Sequence, residues 1–148
     1  METTVKADLG KRFLAYFIDS LLAGIAGAVV GILLPALGAV ISAGYMLVRD
    51  GLDLEFMDRR SIGKRLMKLR PVRLDGQAMD VETSMRRNWM FALGGLGYGV
   101  FGFGLGKLVA VAGAVLFFYE VYKVITASDG RRWGDELAGT QVVVEEIV

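Results

Sequence analysis

The chain has 148 residues, of which 54% are hydrophobic, and its formal net charge is only +1. It contains no cysteine and no histidine, which excludes disulfides, thiol chemistry, Cys/His metal sites and imidazole catalysis. The length predicts a single domain over residues 1–148, and the composition is typical of a membrane protein.

The first apolar stretch covers residues 13–34. As a helix it would be roughly 33 Å long, close to the hydrocarbon thickness of a bilayer at about 30 Å, so we predict a membrane span. Asp8 is placed to cap this helix, which we expect to begin near Leu9. The stretch is too long for the core of a signal peptide, and we expect no cleavage.

Asp19 lies inside this span, and an aspartate at the centre of a membrane helix costs roughly 2.5 to 3.5 kcal/mol. It belongs to a row of mostly small residues that share one helix face: Ala15, Asp19, Ala23, Gly27 and Gly31. Such a row allows another helix to approach closely, so we expect Asp19 to face protein and not lipid. Arg12 and Tyr16 lie near the same face. The sequence therefore predicts a polar face formed by Arg12, Tyr16 and Asp19.

Three further apolar segments follow along the chain, at residues 36–49, 89–106 and 108–125. Pro35 ends the first span, and Lys107 stands alone between the last two segments. The segment 36–49 is short enough to be a buried core helix, but beside a full span we expect an antiparallel membrane partner. The predicted fold is an all-α, four-helix transmembrane bundle with a polar loop at residues 50–88 and a tail at residues 126–148.

Lysine and arginine residues are concentrated on one side of these four segments: Lys6, Lys11, Arg12, the basic residues of the 50–88 loop, Lys123, Arg131 and Arg132. Only Lys107 falls on the other side. By the positive-inside rule, both termini and the loop are predicted to be cytoplasmic. Acidic residues are interleaved with the basic ones in the loop, so we expect no nucleic-acid partner.

Within the loop, five basic residues are candidates for binding anionic lipid headgroups: Arg59, Arg60, Lys64, Arg65 and Lys68. Ser61 is placed to cap a short helix lying at the membrane interface. Residues 68–74 and 140–148 have strand-like patterns, and we expect them to pair as a small cytoplasmic sheet. Pro71 requires an edge position or a bulge in that sheet.

Glycines recur in the first and third spans, and we expect these to be helix-packing positions: Gly27, Gly31, Gly95, Gly99, Gly102 and Gly106. The small-residue rows predict a homo-oligomer. The string Gly97-x-Gly99-x-x-Gly102 matches a dinucleotide fingerprint, but no strand precedes it and it lies inside an apolar segment. Helix packing is therefore favoured over a nucleotide site, and we expect no cofactor.

Three motifs occur in order along the chain, and the first and last are residues 10–19 and 129–140. The middle motif ends with Arg86, before a predicted helix, and its earlier residues are Ser61, Gly63, Lys64, Leu69, Val72, Asp75 and Gly76. Together they resemble the RDD family of bacterial and archaeal membrane proteins, named for one arginine and two aspartates. By this resemblance Arg12 and Asp19 are the signature pair, and Asp135 is the second aspartate. The resemblance implies a place in the prokaryotic cytoplasmic membrane, with transport as the usual suggestion for the activity.

Two roles are open for Arg12 and Asp19. They form either a charge clamp that fixes helix packing or a site in which Asp19 binds a proton or cation within a polar cavity. Asp135 is expected either to cap a short helix or to dock near Arg12 and the basic loop. Glu120 either forms a local ion pair with Lys123 or faces Asp19 or Arg12 along an ion path.

The principal functional hypothesis is oligomeric transport of an ion, either a proton or a cation, or of a small solute. The residues expected to line its path are Arg12, Tyr16, Asp19, Glu120 and Asp135. The alternative is a non-transporting scaffold or accessory subunit that binds lipid headgroups or a partner through the basic loop. We do not expect an enzyme, because the residues assemble no catalytic constellation.

Overall fold

The computed structural model describes residues 7–145, with residues 98 and 99 described through their backbone only. In chain order the elements are α1 (Leu9–Gly31), α2 (Pro35–Val48), α3 (Ile62–Leu66), β1 (Leu69–Arg73), α4 (Val81–Thr126), α5 (Trp133–Leu137) and β2 (Thr140–Val144). The fold is mostly helical and contains one two-stranded antiparallel sheet. Lys6 and the last residues of the predicted second strand, 146–148, lie outside the described part of the chain.

Helix α1 begins where its cap predicts, because the Asp8 side chain accepts a hydrogen bond from the backbone N–H of Lys11. It ends at Gly31, earlier than the predicted residue 34. Pro35 then opens α2, where its missing N–H costs nothing and its ring favours the helical φ. The two helices run antiparallel, as predicted for the second segment.

Contact between α1 and α2 is close enough to require glycine. A Cβ atom added to Gly38 would lie 2.3 Å from the carbonyl oxygen of Gly27 and 2.6 Å from the Cα of Gly31. The predicted packing role of Gly27 and Gly31 is therefore confirmed. The partner is α2 of the same chain, so the small-residue row is covered internally.

Helix α4 is a helical hairpin, divided at Gly102, whose φ of 67° and ψ of −171° are not helical. Its arms, residues 81–101 and 103–126, run antiparallel, since a Cβ on Gly113 would lie 2.9 Å from the Cα of Gly94. The predicted separation of the last two segments at Lys107 is wrong, because glycine can adopt this backbone conformation and lysine cannot do so without strain. Lys107 instead lies within the second arm.

The other glycines predicted to pack in the third span have different surroundings. A Cβ atom added to Gly95 would lie 3.9 Å from the Cβ of Ala43 in α2, which is an ordinary van der Waals contact. Gly106 meets Gly97 across the hairpin, where a Cβ on Gly97 would lie 3.0 Å from the Gly106 carbonyl oxygen. Gly102 forms the turn and is not a packing position, and the side-chain surroundings of Gly99 lie outside the described residues. Gly95 and Gly106 thus pack against helices of the same chain.

Two helical stretches are long and apolar enough to cross a membrane, Leu9–Gly31 and Val100–Thr126. Large apolar side chains on both are exposed, including Val29 and Phe118, as expected for helices that face lipid. Helix α2 is also apolar but has only 14 residues. The crossing of a bilayer by all four segments stays a prediction.

The polar segments gather at one end of the helices, which we call the polar cap: α3, α5, β1 and β2. Ser61 caps α3 as predicted, accepting from the backbone N–H of Lys64. The predicted strand pair is confirmed, with Pro71 opposite Val142. A two-stranded sheet has a free edge on each strand, so a proline is tolerated there. Leu69 and Val142 pack against Ala15 and anchor the sheet to the base of α1.

Candidate functional site

Asp19 is fully buried, as its place in the small-residue row predicts. Its partner is Arg49, the residue that follows α2, with Nη1 3.1 Å from Asp19 Oδ2. Asp19 Oδ1 accepts from the Tyr45 hydroxyl at 3.1 Å and from the backbone N–H of Gly63 at 2.8 Å. Both carboxylate oxygens are therefore satisfied. The predicted pairing of Asp19 with Arg12 is wrong, because the antiparallel packing of α2 brings Arg49 alongside while Arg12 points to the polar cap.

Arg12 binds the polar cap. Its Nη2 donates to Asp135 Oδ2 at 3.0 Å, and its Nη1 donates to the Gly130 carbonyl oxygen at 2.5 Å. Docking near Arg12 is one of the two arrangements expected for Asp135, and capping is the other: its Oδ2 also accepts from the backbone N–H of Arg132 at the start of α5. Arg12 and Asp135 thus join the start of α1 to the segment that follows α4.

Asp135 is surrounded by three guanidinium groups. In addition to Arg12, Arg87 donates at 2.7 Å and Arg132 at 3.1 Å to Asp135 Oδ1. Burial alone would raise the pKa of the Asp135 carboxyl, but Arg87, Arg132 and Arg12 outweigh it and hold the pKa well below its usual range. Asp135 is therefore ionised in the folded protein across the physiological pH range.

Asp50 is the centre of a second buried cluster. It accepts from Lys64 Nζ at 2.7 Å, from Asn88 Nδ2 at 3.1 Å and from the backbone N–H of Ser61 at 3.2 Å. Burial lowers the pKa of the Lys64 ammonium to about 7, since desolvation outweighs the attraction of Asp50. Arg87 Nη1 lies 3.7 Å from Asp50 Oδ2 and so provides a second cation there.

Arg87 and Asn88 connect the two clusters. Arg87 spans Asp135 and Asp50, while Arg132 donates to Asn88 Oδ1 at 2.7 Å. The result is a continuous buried network of charges that ties α4 to α3, α5 and the start of α1. Partly satisfied buried networks are costly, so each missing hydrogen bond in this network lowers the stability of the cap.

Several members of this network were not predicted as site residues: Arg49, Asp50, Arg87, Asn88 and Arg132. Arg86, assigned by resemblance to the arginine before the third span, is exposed and pairs with Glu82 on its own helix. The sequence does contain a pattern that favours Arg87 as a network residue. Ser84, Arg87 and Asn88 are spaced by three and four residues, which places three polar side chains on one helix face.

Glu120 and Lys123 do not pair with each other, so the predicted local ion pair is wrong. Lys123 Nζ lies 2.8 Å from Glu136 Oε1, and Glu120 Oε1 accepts from the backbone N–H of Gly134 at 2.9 Å. Glu120 Oε2 is buried and has no hydrogen-bond partner within the described part of the chain. Glu120 and Arg12 both line a cavity between α1 and α4, and Asp19 is not part of its lining.

The basic loop uses most of its charges internally. Arg59 pairs with Asp53, Arg60 pairs with Glu145, and Lys64 is held by Asp50. Arg65 and Lys68 are exposed, and neither pairs with a carboxylate among the described residues. Of the five candidates, Arg65 and Lys68 are the two without a carboxylate partner among the described residues, and headgroup binding stays a prediction.

A cavity of about 270 Å³ lies between α1 and α4, beside the charge network; we call it the interhelical cavity. Its polar lining consists of Arg12, Arg49, Lys64, Arg87, Arg132 and Glu120. Tyr16 packs beside it against Phe91 and Phe117, with ring centroids 5.0 Å and 5.4 Å away. Four guanidinium groups and the Lys64 amine face four carboxylates, namely Glu120 and the three aspartates of the network, which leaves an excess of one positive charge when Lys64 is protonated.

Apolar helices of membrane length, joined at one end by a buried arginine and aspartate network, indicate a small helical membrane protein. The model of the RDD family matches residues 6–139, and the chain belongs to this family. No curated protein and no solved structure was found to match the chain. The residues assigned to the family signature lie in two ion pairs: Arg12 with Asp135, and Asp19 with Arg49.

Proposed function

We propose that this protein transports a small solute or ion across the membrane and that the interhelical cavity is the entrance on the cytoplasmic side. The observation that carries the proposal is the presence of unpaired polar atoms beside this cavity. Among the described residues, Glu120 Oε2 receives no hydrogen bond, and Arg87 Nε and Nη1 donate none, although Arg87 Nη1 is 3.7 Å from Asp50 Oδ2. Buried polar atoms are nearly always paired, so these atoms are suited to a solute or to water.

In this proposal the role of Asp19 is structural. Both of its oxygens accept hydrogen bonds, and Arg49 neutralises its charge within α1 and α2. A cation would have to displace the guanidinium of Arg49 to bind there. The positive excess around the cavity and the free guanidinium N–H groups favour an anionic solute over a cation.

Glu120 is the group best placed to accept a proton or a hydrogen bond from the solute. Its Oε1 is held by the backbone N–H of Gly134, which fixes the orientation of a carboxylate that lines the cavity. Glu120 also belongs to a membrane-length helix, Val100–Thr126. A conformational change at this residue would therefore act directly on that helix.

Orientation and assembly complete the proposal. The basic loop, the start of α1 and the end of α4 meet in the polar cap, which supports a cytoplasmic location for the cap by the positive-inside rule. A homo-oligomer would complete a path that four short helices do not enclose alone. It would use exposed apolar faces, such as the one bearing Leu21 and Ile25, because the glycine rows are already covered.

The test is uptake of radiolabelled small anions, phosphate among them, by proteoliposomes containing the purified protein. Glu120→Gln keeps the shape and the acceptor for Gly134 but removes the charge, and we expect it to reduce uptake at least tenfold. Glu136→Gln is the matched control, because Glu136 lies on the surface and its one ion-pair partner among the described residues is Lys123. Equal uptake by wild type and Glu120→Gln would contradict the proposal.

A non-transporting scaffold is the second candidate, favoured by the exposed side chains of Arg65 and Lys68, which pair with no carboxylate among the described residues. It predicts no uptake by the reconstituted protein. It also predicts that Arg65→Gln with Lys68→Gln weakens association of the loop with anionic lipid while the fold is retained.

A further inference from the structure

The interhelical cavity has a charged end and an apolar end. At the charged end, Arg87 is fully buried, and its Nε and Nη1 donate no hydrogen bond within the described residues; the nearest carboxylate oxygen to Nη1, Asp50 Oδ2, is 3.7 Å away. Nε of the buried Arg49 is unpaired as well. Guanidinium N–H groups are well matched in geometry to the oxygens of a phosphate group.

The apolar end opens to the side, between α1 and the second arm of α4. Phe13 and Ile125 line the cavity and yet are 64% and 60% exposed. Val121 lines the wall between them and the charged end. Since α1 and this arm are membrane-length helices, the opening would face the acyl region of the bilayer near its cytoplasmic surface.

We propose that the cavity binds the phosphate headgroup of a membrane phospholipid, with the acyl chains running out along Phe13, Val121 and Ile125. A single phosphodiester charge balances the positive excess that the network has when Lys64 is protonated. At about 270 Å³ the cavity has room for a headgroup but not for a whole lipid, which would place the chains outside. This inference rests on the proposed function of the interhelical cavity and names the class of ligand that the cavity binds.

Glu120 adds a requirement on the headgroup. Its unpaired Oε2 is an acceptor, so a headgroup that offers an O–H or N–H donor would satisfy it. Phosphatidylglycerol offers hydroxyl donors, whereas the choline of phosphatidylcholine offers none. The same phosphate could come from free inorganic phosphate, but that ion would leave the apolar wall without a partner.

The experiment is native mass spectrometry of the delipidated protein, titrated separately with phosphatidylglycerol, phosphatidylcholine and inorganic phosphate. We expect one phosphatidylglycerol to bind at least tenfold more tightly than phosphatidylcholine, and an excess of inorganic phosphate to leave it bound. Equal binding of the two lipids, or displacement of the lipid by inorganic phosphate, would overturn the proposal.

Val121→Trp fills the apolar wall without touching the charge network. We expect it to weaken phosphatidylglycerol binding at least tenfold. Val115→Trp is the matched control, because Val115 is exposed on the same arm and lies outside the cavity lining. Unchanged binding by Val121→Trp would overturn the inference.

The two proposals fail separately. Loss of lipid selectivity with persistent uptake of small anions would refute the lipid site and leave transport standing. Lipid binding at the cavity in a protein that moves neither small anions nor fluorescent phosphatidylglycerol across the bilayer would refute transport and leave the binding site standing.

Discussion

The partner of Asp19 can be tested by removing Arg49. The side chains of both residues are almost fully buried, with 1% and 2% exposed, and their atoms approach to 3.1 Å. Breaking a buried ion pair by removing one partner costs about 3 to 5 kcal/mol. We expect Arg49→Ala to fall near the lower limit, because Tyr45 and Gly63 still donate to Asp19.

The assay is thermal unfolding of the purified protein in detergent. At roughly 2 to 4 °C per kcal/mol for a chain of this length, a loss of about 3 kcal/mol lowers Tm by roughly 6 to 12 °C. Asp19→Asn combined with Arg49→Ala should recover part of this loss, because no carboxylate is then left unpaired. When Asp19→Asn is instead combined with Arg12→Ala, the losses of stability of the two single variants should simply add, since Arg12 bonds Asp135 and Gly130 and not Asp19. Coupling of Asp19 to Arg12 but not to Arg49 would refute this reasoning.

Two further predictions concern the hairpin turn and the acid stability of the cap. Gly102→Ala forces a side chain into a backbone conformation with φ of 67° and should lower the free energy of unfolding by about 1 to 3 kcal/mol. The control Gly104→Ala lies on an open helical surface and should raise the free energy of unfolding by about 0.5 to 1 kcal/mol. Equal effects of the two substitutions in thermal unfolding would contradict the assigned turn. Because the folded state lowers the pKa of Asp135, its contribution to stability is full above the unfolded value of about 3.9 and is lost as the pH falls below it. Unfolding scans from pH 6 to pH 2 should therefore show a steeper loss for wild type than for Asp135→Asn, and parallel curves would contradict the ionised carboxylate.

The sequence by itself determined the features that depend on near neighbours. Asp8 and Ser61 cap helices because a cap bonds to backbone N–H groups within the next turn. The strand pair follows from short β-branched segments, and the burial of Asp19 follows from the small residues one turn away on either side of it. Membership of the RDD family was also evident from the order of three motifs.

The tertiary structure alone decided which charges meet. Asp19 pairs with Arg49 across 30 residues of chain, and Arg87 rather than its neighbour Arg86 enters the network. Many arginines and carboxylates lie at the same end of the helices, so their sequence positions allow several pairings, and the packing of α2 and α5 selects one. The position of the hairpin turn was likewise decided by the tertiary structure. The isolated charge of Lys107 interrupts the hydropathy pattern and suggested a turn there. The chain reverses at Gly102 because the backbone of glycine adopts the required positive φ without strain.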